Sequence, residues 1–202
     1  MSRIHSQADQ LIPPHLIGLT HPVSHEEFAE LCVQYPDLRL ELTSSGELIV
    51  MPPTGALIDN RNLKLIYQFA AWLETDKTGM GFGPTAGFTL PNGAIRSPDA
   101  SWMTSEKWDS LSEYQKERFS AICPDFVVEL RSRTDSLRTL IEKMEEYIAN
   151  GATLGWLIDP RKRRVYIFKA GEEMVTLDNP RVVSGDPLLP GFELQMEKIW
   201  IT

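Results

Sequence analysis

Pro124-Asp-Phe-Val-Val-Glu-Leu-Arg-Ser132 is the stretch on which the reading of this chain turns. Its apolar, β-branched centre, 126–130, reads as a buried strand. Along such a strand Phe126, Val128 and Leu130 point one way, and Val127, Glu129 and Arg131 point the other. A carboxylate within an apolar strand is costly to bury unless something pairs with it. Glu129 therefore needs a partner: a salt bridge to Arg131 or a nearby arginine, or a metal ion.

Downstream, Thr134 or Asp135 caps a helix over residues 136–151, which Gly151 closes in the C′ position. Leu137, Leu140, Ile141, Met144 and Ile148 form its apolar stripe. At about 100° per residue, Lys143 lies roughly 120° from the centre of that stripe, beside Tyr147. From there its long stem can snorkel to the sheet edge. Residues 154–160, LGWLIDP, form another strand; RKRR at 161–164 makes a basic turn, better read as solvated than as a phosphate contact; VYIFKAG returns. The tail holds MVTL, LPGFEL and KIW.

Upstream, Ser24 and Glu27 have capping-box spacing at the start of a helix that buries Phe28, Leu31 and Cys32. LRLEL (38–42) and ELIVM (47–51) form a hairpin about SSG. A second helix spans about 60–74, capped by Asp59 or Asn60 and ended by KTGMGFG. GFTL and AIRSPDASWM read as two strands joined by PNG, and 104–124 as a polar surface excursion. Strands and helices alternate too closely for an all-α or all-β protein. The fold class is mixed α/β, a central mixed sheet flanked by helices. Residues 1–22 read as a loose arm and 23–202 as one domain.

The 202 residues, 42% hydrophobic and 24% charged, exclude wholesale disorder and a disulfide scaffold. With 20 Lys+Arg against 28 Asp+Glu, the net charge of −8 excludes a basic nucleic-acid coat, so any such contact needs a local basic patch. Two distant cysteines, no metal-ligand histidine spacing and no membrane-length apolar run point to a cytoplasmic protein outside the membrane.

Asp99 follows Pro98 some 30 residues before Glu129. Two acids on neighbouring strands make a hard-oxygen pocket suited to Mg²⁺ or Mn²⁺, to which the Leu130 carbonyl can add a ligand. A PD motif, ExK-like spacing and a following helix are similar to the PD-(D/E)XK nuclease superfamily. LELTSSGELIVMPPTG (40–55), GFTLPNGAIRSPDASW (87–102), CPDFVVELRS (123–132) and EKMEEYIANGATLGWLIDP (142–160), in that order, resemble the bacterial Uma family of restriction-endonuclease-like proteins. The resemblance covers about residues 24–170 and reaches the terminal LPGFEL.

It implies a restriction-endonuclease-like core, a metal site at a sheet edge and a homodimer. Residue by residue, Asp99 matches the PD acid, Glu129 the ExK acid and Glu41 the extra acid before the hairpin turn. Arg131 stands where lysine is usual. Arginine is a poor proton acceptor but can clamp an anionic transition state. In many members the lysine has moved to the next helix, which fits Lys143. The implied function is a Mg²⁺-dependent endonuclease acting on nucleic acid, with DNA favoured. The alternative is a nuclease fold that has lost its chemistry and binds nucleic acid or a protein partner.

Overall fold

The computed structural model describes residues 21–51 and 54–201. The N-terminal arm, residues 1–20 of it, lies outside the described residues. Helix α1 (His25–Gln34) leads into the hairpin of β1 (Arg39–Leu42) and β2 (Leu48–Met51). Helix α2 (Ala56–Leu73) follows, then β3 (Gly79–Phe82), β4 (Phe88–Thr89), β5 (Ile95–Arg96) and β6 (Ala100–Thr104). Two short helices, α3 (Ser105–Asp109) and α4 (Glu113–Lys116), make the polar excursion. Then come β7 (Phe126–Leu130), α5 (Leu137–Ala149), β8 (Leu154–Asp159), β9 (Arg164–Lys169), β10 (Val175–Asp178), β11 (Val182–Ser184) and β12 (Glu193–Gln195).

The strands form a six-stranded sheet, β10-β9-β8-β7-β6-β3, and a four-stranded sheet, β2-β1-β5-β4, with β11-β12 as a separate pair. In the large sheet β7 and β8 are parallel and the other pairs antiparallel, so the sheet is mixed. A parallel pair needs a crossover, and α5 supplies it. The alternation read along β7 holds. Phe126, Val128 and Leu130 pack with α2 and the C-terminal Phe192, Leu194 and Trp200. Val127 packs on the other face with Met144 and Tyr147 of α5. A third cluster, around Phe28, Leu42 and Ile95, joins α1 to the small sheet.

The local signals differ from the sequence reading in several places. Ser24 accepts from the Glu27 N–H at 3.1 Å, but the Glu27 carboxylate turns to the His21 ring at 3.2 Å, so the reciprocal half of the capping box is replaced by a side-chain contact. Helix α2 starts four residues early at Ala56, after Gly55 and with no side-chain cap; α5 is capped by Ser136 rather than Thr134 or Asp135. AIRSPDASWM is two strands, because Pro98 has no N–H to offer a ladder. The chain leaves the small sheet after β5 and enters the large one at β6, crossing the seam through Ser97-Pro98-Asp99.

GMGF, read as a helix end, is an edge strand beside β6. Its glycine is required there: a Cβ at Gly79 would run into the Met103 carbonyl and the Trp102 ring. Gly79→Ala should therefore lower unfolding stability by about 1–3 kcal/mol in urea titrations. Gly83→Ala, with open space around its Cβ, should leave stability unchanged or slightly raised.

Candidate functional site

Three elements meet at the seam. From the small sheet, β1 contributes Arg39 and Glu41, and β5 contributes Arg96. From the large sheet, β7 contributes Glu129, and Asp99 stands just before β6. Ala100 pairs with Val128, so the antiparallel register continued by one residue sets Asp99 opposite Glu129. Helix α5 covers the seam with Lys143, Glu146 and Tyr147, spaced i, i+3 and i+4 and therefore on one face.

Lys143 joins the two sheets. Its Nζ lies 2.8 Å from Glu41 Oε1 and 2.7 Å from Glu129 Oε1, with only 11% of the side chain exposed. Tyr147 donates its hydroxyl to the same Glu129 oxygen at 3.1 Å. Arg96 sits behind Glu41, its Nη1 at 3.2 Å from Oε2 and its Nε at 2.6 Å from Glu146. The Ser97 N–H donates to Glu41 Oε1 at 2.9 Å, so both Glu41 oxygens are engaged.

The Glu129 and Asp99 oxygens are used unequally. Asp99 Oδ2 accepts from the Leu130 N–H at 2.8 Å, whereas among the described residues Oδ1 has only Arg39 at 3.7 Å. Glu129 Oε1 takes both Lys143 and Tyr147, and among the described residues no protein group donates to Oε2. Each acid thus keeps one oxygen with little or no protein partner. In an extended strand a residue's N–H and C=O point to the same side, so the Leu130 carbonyl also lies toward Asp99.

The electrostatics follow from this uneven supply. Burial pushes Glu41 up, but Lys143 and Arg96 overcome it and hold the carboxyl below its usual range. Glu129 shares Lys143 with Glu41 but, among the described residues, pairs with no arginine. Burial, aided by the charges of Asp99 and Glu41 and only partly opposed by Lys143, pushes it up to about 7. Burial also raises Asp99. Burial disfavours the charge of Lys143, but Glu129 and Glu41 outweigh this and raise it, so it remains an ammonium.

The cluster suits a divalent cation by its donor set: the buried carboxylate of Glu129 and the half-buried one of Asp99, each with an oxygen to spare, a carbonyl on the same side, and negative charge that the local cations leave incompletely balanced. Among the described residues no group of three or more His, Cys, Asp or Glu is arranged to hold a metal. Mg²⁺ commonly needs no such cage, since it keeps several waters and binds one or two carboxylates.

Of the residues singled out in the sequence, the structure brings Asp99, Glu129, Glu41 and Lys143 together. It takes Arg131 elsewhere: β7 ends at Leu130, and the Arg131 guanidinium binds Asp159 at 2.6 Å and the Asp135 carbonyl at 3.1–3.2 Å. Arg131 does not pair with Glu129. Sequence reasoning missed Arg96, Glu146 and Arg39 as members of the cluster. Glu146 and Tyr147 had a usable signal, standing three and four residues after Lys143.

The sheet-and-helix core has a restriction-endonuclease-like fold. The chain belongs to the Uma2 family, described as "Putative restriction endonuclease", whose model matches residues 25–197. The fold is similar to the crystal structure of a "putative nuclease belonging to DUF820" from Anabaena variabilis ATCC 29413, with TM-score 0.72 and 18% identity over 89% of this chain and 98% of that one. No curated protein matches the chain in sequence. No helix among the described residues is long and apolar enough to cross a membrane.

Two predictions follow from the unequal pairing. A raised folded-state pKa contributes stability at low pH that is lost as pH rises through it. In EDTA, the wild type should lose melting temperature relative to Glu129→Gln as pH rises from about 4.5 to about 7. Lys143→Met, which takes from buried Glu129 its ion-pair partner and leaves Glu41 with Arg96 alone, should cost about 3–5 kcal/mol at neutral pH. The difference from wild type in denaturant titrations should narrow below pH 4.5, as Glu41 protonates.

Proposed function

We propose that this protein is a Mg²⁺- or Mn²⁺-dependent endonuclease that hydrolyses phosphodiester bonds of nucleic acid, DNA in the first instance. The observation that carries the reading is the convergence of Asp99 and Glu129 across adjacent strands, each with an oxygen left over, beside a buried lysine. Family membership supports a nuclease.

Asp99, Glu129 and the Leu130 carbonyl would hold the ion. Such an ion, when bound, lowers the pKa of its water and neutralises charge on the phosphate. The protein supplies the rest. Lys143, kept protonated by two carboxylates, fixes the Glu129 oxygen and presents positive charge at the reacting centre. Tyr147 orients the same carboxylate. Glu41, with both oxygens committed, positions Lys143. Arg131, tied to Asp159, has no part in this chemistry.

The test has two arms. Mn²⁺ should raise the melting temperature of the wild type, since a ligand bound only by the folded state stabilises it by about 2.7 kcal/mol at 100 times its Kd. Asp99→Ala or Glu129→Ala should abolish both that shift and metal-dependent cleavage of plasmid DNA while retaining the folded circular dichroism. Cleavage retained by either variant would defeat the assignment. An unshifted wild type that cleaves nothing would favour a fold that has lost its chemistry and only binds.

A further inference from the structure

Adjacent to the acid pair the structure assembles a basic surface whose parts are scattered in sequence. Strands β7 and β8 run parallel, with Glu129 paired to Leu157. Their C-terminal ends therefore lie side by side, and the chain beyond each forms part of one rim. Beyond β7 come Arg131 and Arg133; beyond β8 come Arg161, Lys162, Arg163 and Arg164.

Asp159 ties the two segments together. It is fully buried, binds Arg131 Nη1 at 2.6 Å through Oδ2, and accepts from the Arg161 and Lys162 N–H groups at 3.0 and 3.2 Å through Oδ1. The turn is thus held against the loop that follows Glu129. At about 3.3 Å per residue, Arg161 is at most roughly 13 Å along the sheet from the level of Glu129.

The cations on this rim are of two kinds. Arg131 is engaged by Asp159 and Arg164 by Asp178. Arg133, Arg161, Lys162 and Arg163 are exposed, and among the described residues none of their side chains forms an ion pair. Four such charges on one edge of a protein with net charge −8 are a local concentration against the overall sign. Exposed cations grouped along one rim beside a phosphodiester-cleaving centre fit a polyanion whose charges recur at every step.

We infer that the rim formed by Arg133 and the Arg161–Arg163 turn is the nucleic-acid backbone-binding surface of this protein, gripping phosphates that flank the one at the acid pair. The inference rests on the endonuclease reading and adds the surface that delivers the substrate. The surface reads charge spacing and not base sequence, since phosphate contacts position a nucleic acid without specifying it.

The test compares wild type with an Arg133→Ala, Arg161→Ala, Lys162→Ala triple variant. Arg163 is kept because its φ of +51° shapes the turn. A Lys64→Ala, Lys77→Ala, Lys198→Ala triple variant makes the same charge change away from the rim. The probe is a fluorescein-labelled 24-base-pair DNA duplex, titrated in EDTA from about 50 to 200 mM salt and followed by anisotropy. The rim variant should bind at least about tenfold more weakly at the low-salt end, and its log–log salt slope should be shallower by about 3, one unit per lost phosphate contact. The control should match wild type. The Mn²⁺-induced melting shift should be unchanged in the rim variant, which leaves the acid pair intact. A rim variant that binds like the control overturns the surface, and wild-type cleavage then leaves the endonuclease reading standing. A wild type that does not bind the duplex also overturns the surface, while the metal and cleavage assays judge the endonuclease reading separately.

Discussion

The Lys143 ammonium between Glu41 and Glu129 is the contact on which the site depends. It joins an acid of the four-stranded sheet to an acid of the six-stranded one, from a helix that packs on both. Burying an ammonium and two carboxylates is expensive, and their mutual attraction repays it only with good geometry and further hydrogen bonds. Those bonds are present: Ser97 N–H and Arg96 on Glu41, Tyr147 on Glu129. The protection is nevertheless uneven. Glu41 is surrounded and Glu129 is not, so one acid is fixed as a structural anion and the other is left with an oxygen to use.

This asymmetry arises from topology. Ser97-Pro98-Asp99 carries the chain from one sheet to the other, and a proline at that crossing removes a ladder donor. The gap in the ladder is filled by a side chain: Asp99 accepts from the Leu130 N–H where a strand carbonyl would otherwise do so. The same break that ends strand pairing thus sets an acid against the end of β7. A continuous strand through residues 94–103 would have paired there by backbone and left no place for a carboxylate at the seam.

Much of this was legible in the sequence because a few residues violated their local pattern. Glu129 stood out as a charge in an apolar strand, and the structure buries it. Lys143 stood on the shoulder of an amphipathic helix, and it does reach the sheet. Arg131 misled because strand alternation placed it on the face of Glu129, but alternation holds only while the strand lasts. The strand ends at Leu130, and Asp159, from a neighbour remote in sequence, takes the guanidinium. Arg96 and Arg39 were illegible for a related reason. An arginine on a short strand looks like surface until the second sheet supplies a buried carboxylate. Strand β3 was hidden by its glycines, which look like a helix terminator and are in fact what lets an edge strand approach Trp102 at Gly79 and Leu73 at Gly81.

The acidic balance of the chain and its proposed polyanionic substrate are reconciled by depth. Glu41 and Glu129 are buried behind Lys143 and Arg96, so little of their charge is displayed to solvent. The unpaired cations of the β8–β9 turn are exposed and have no low-dielectric cost to bear. An approaching phosphate backbone therefore meets the basic rim before it meets the acids. At physiological salt the screening length is about 8 Å, so the exposed rim cations act on the phosphates that come into contact with them, whatever the net charge of distant surfaces. The acidic remainder of the surface then disfavours phosphates elsewhere, and net charge of one sign sharpens where a substrate of that same sign can sit.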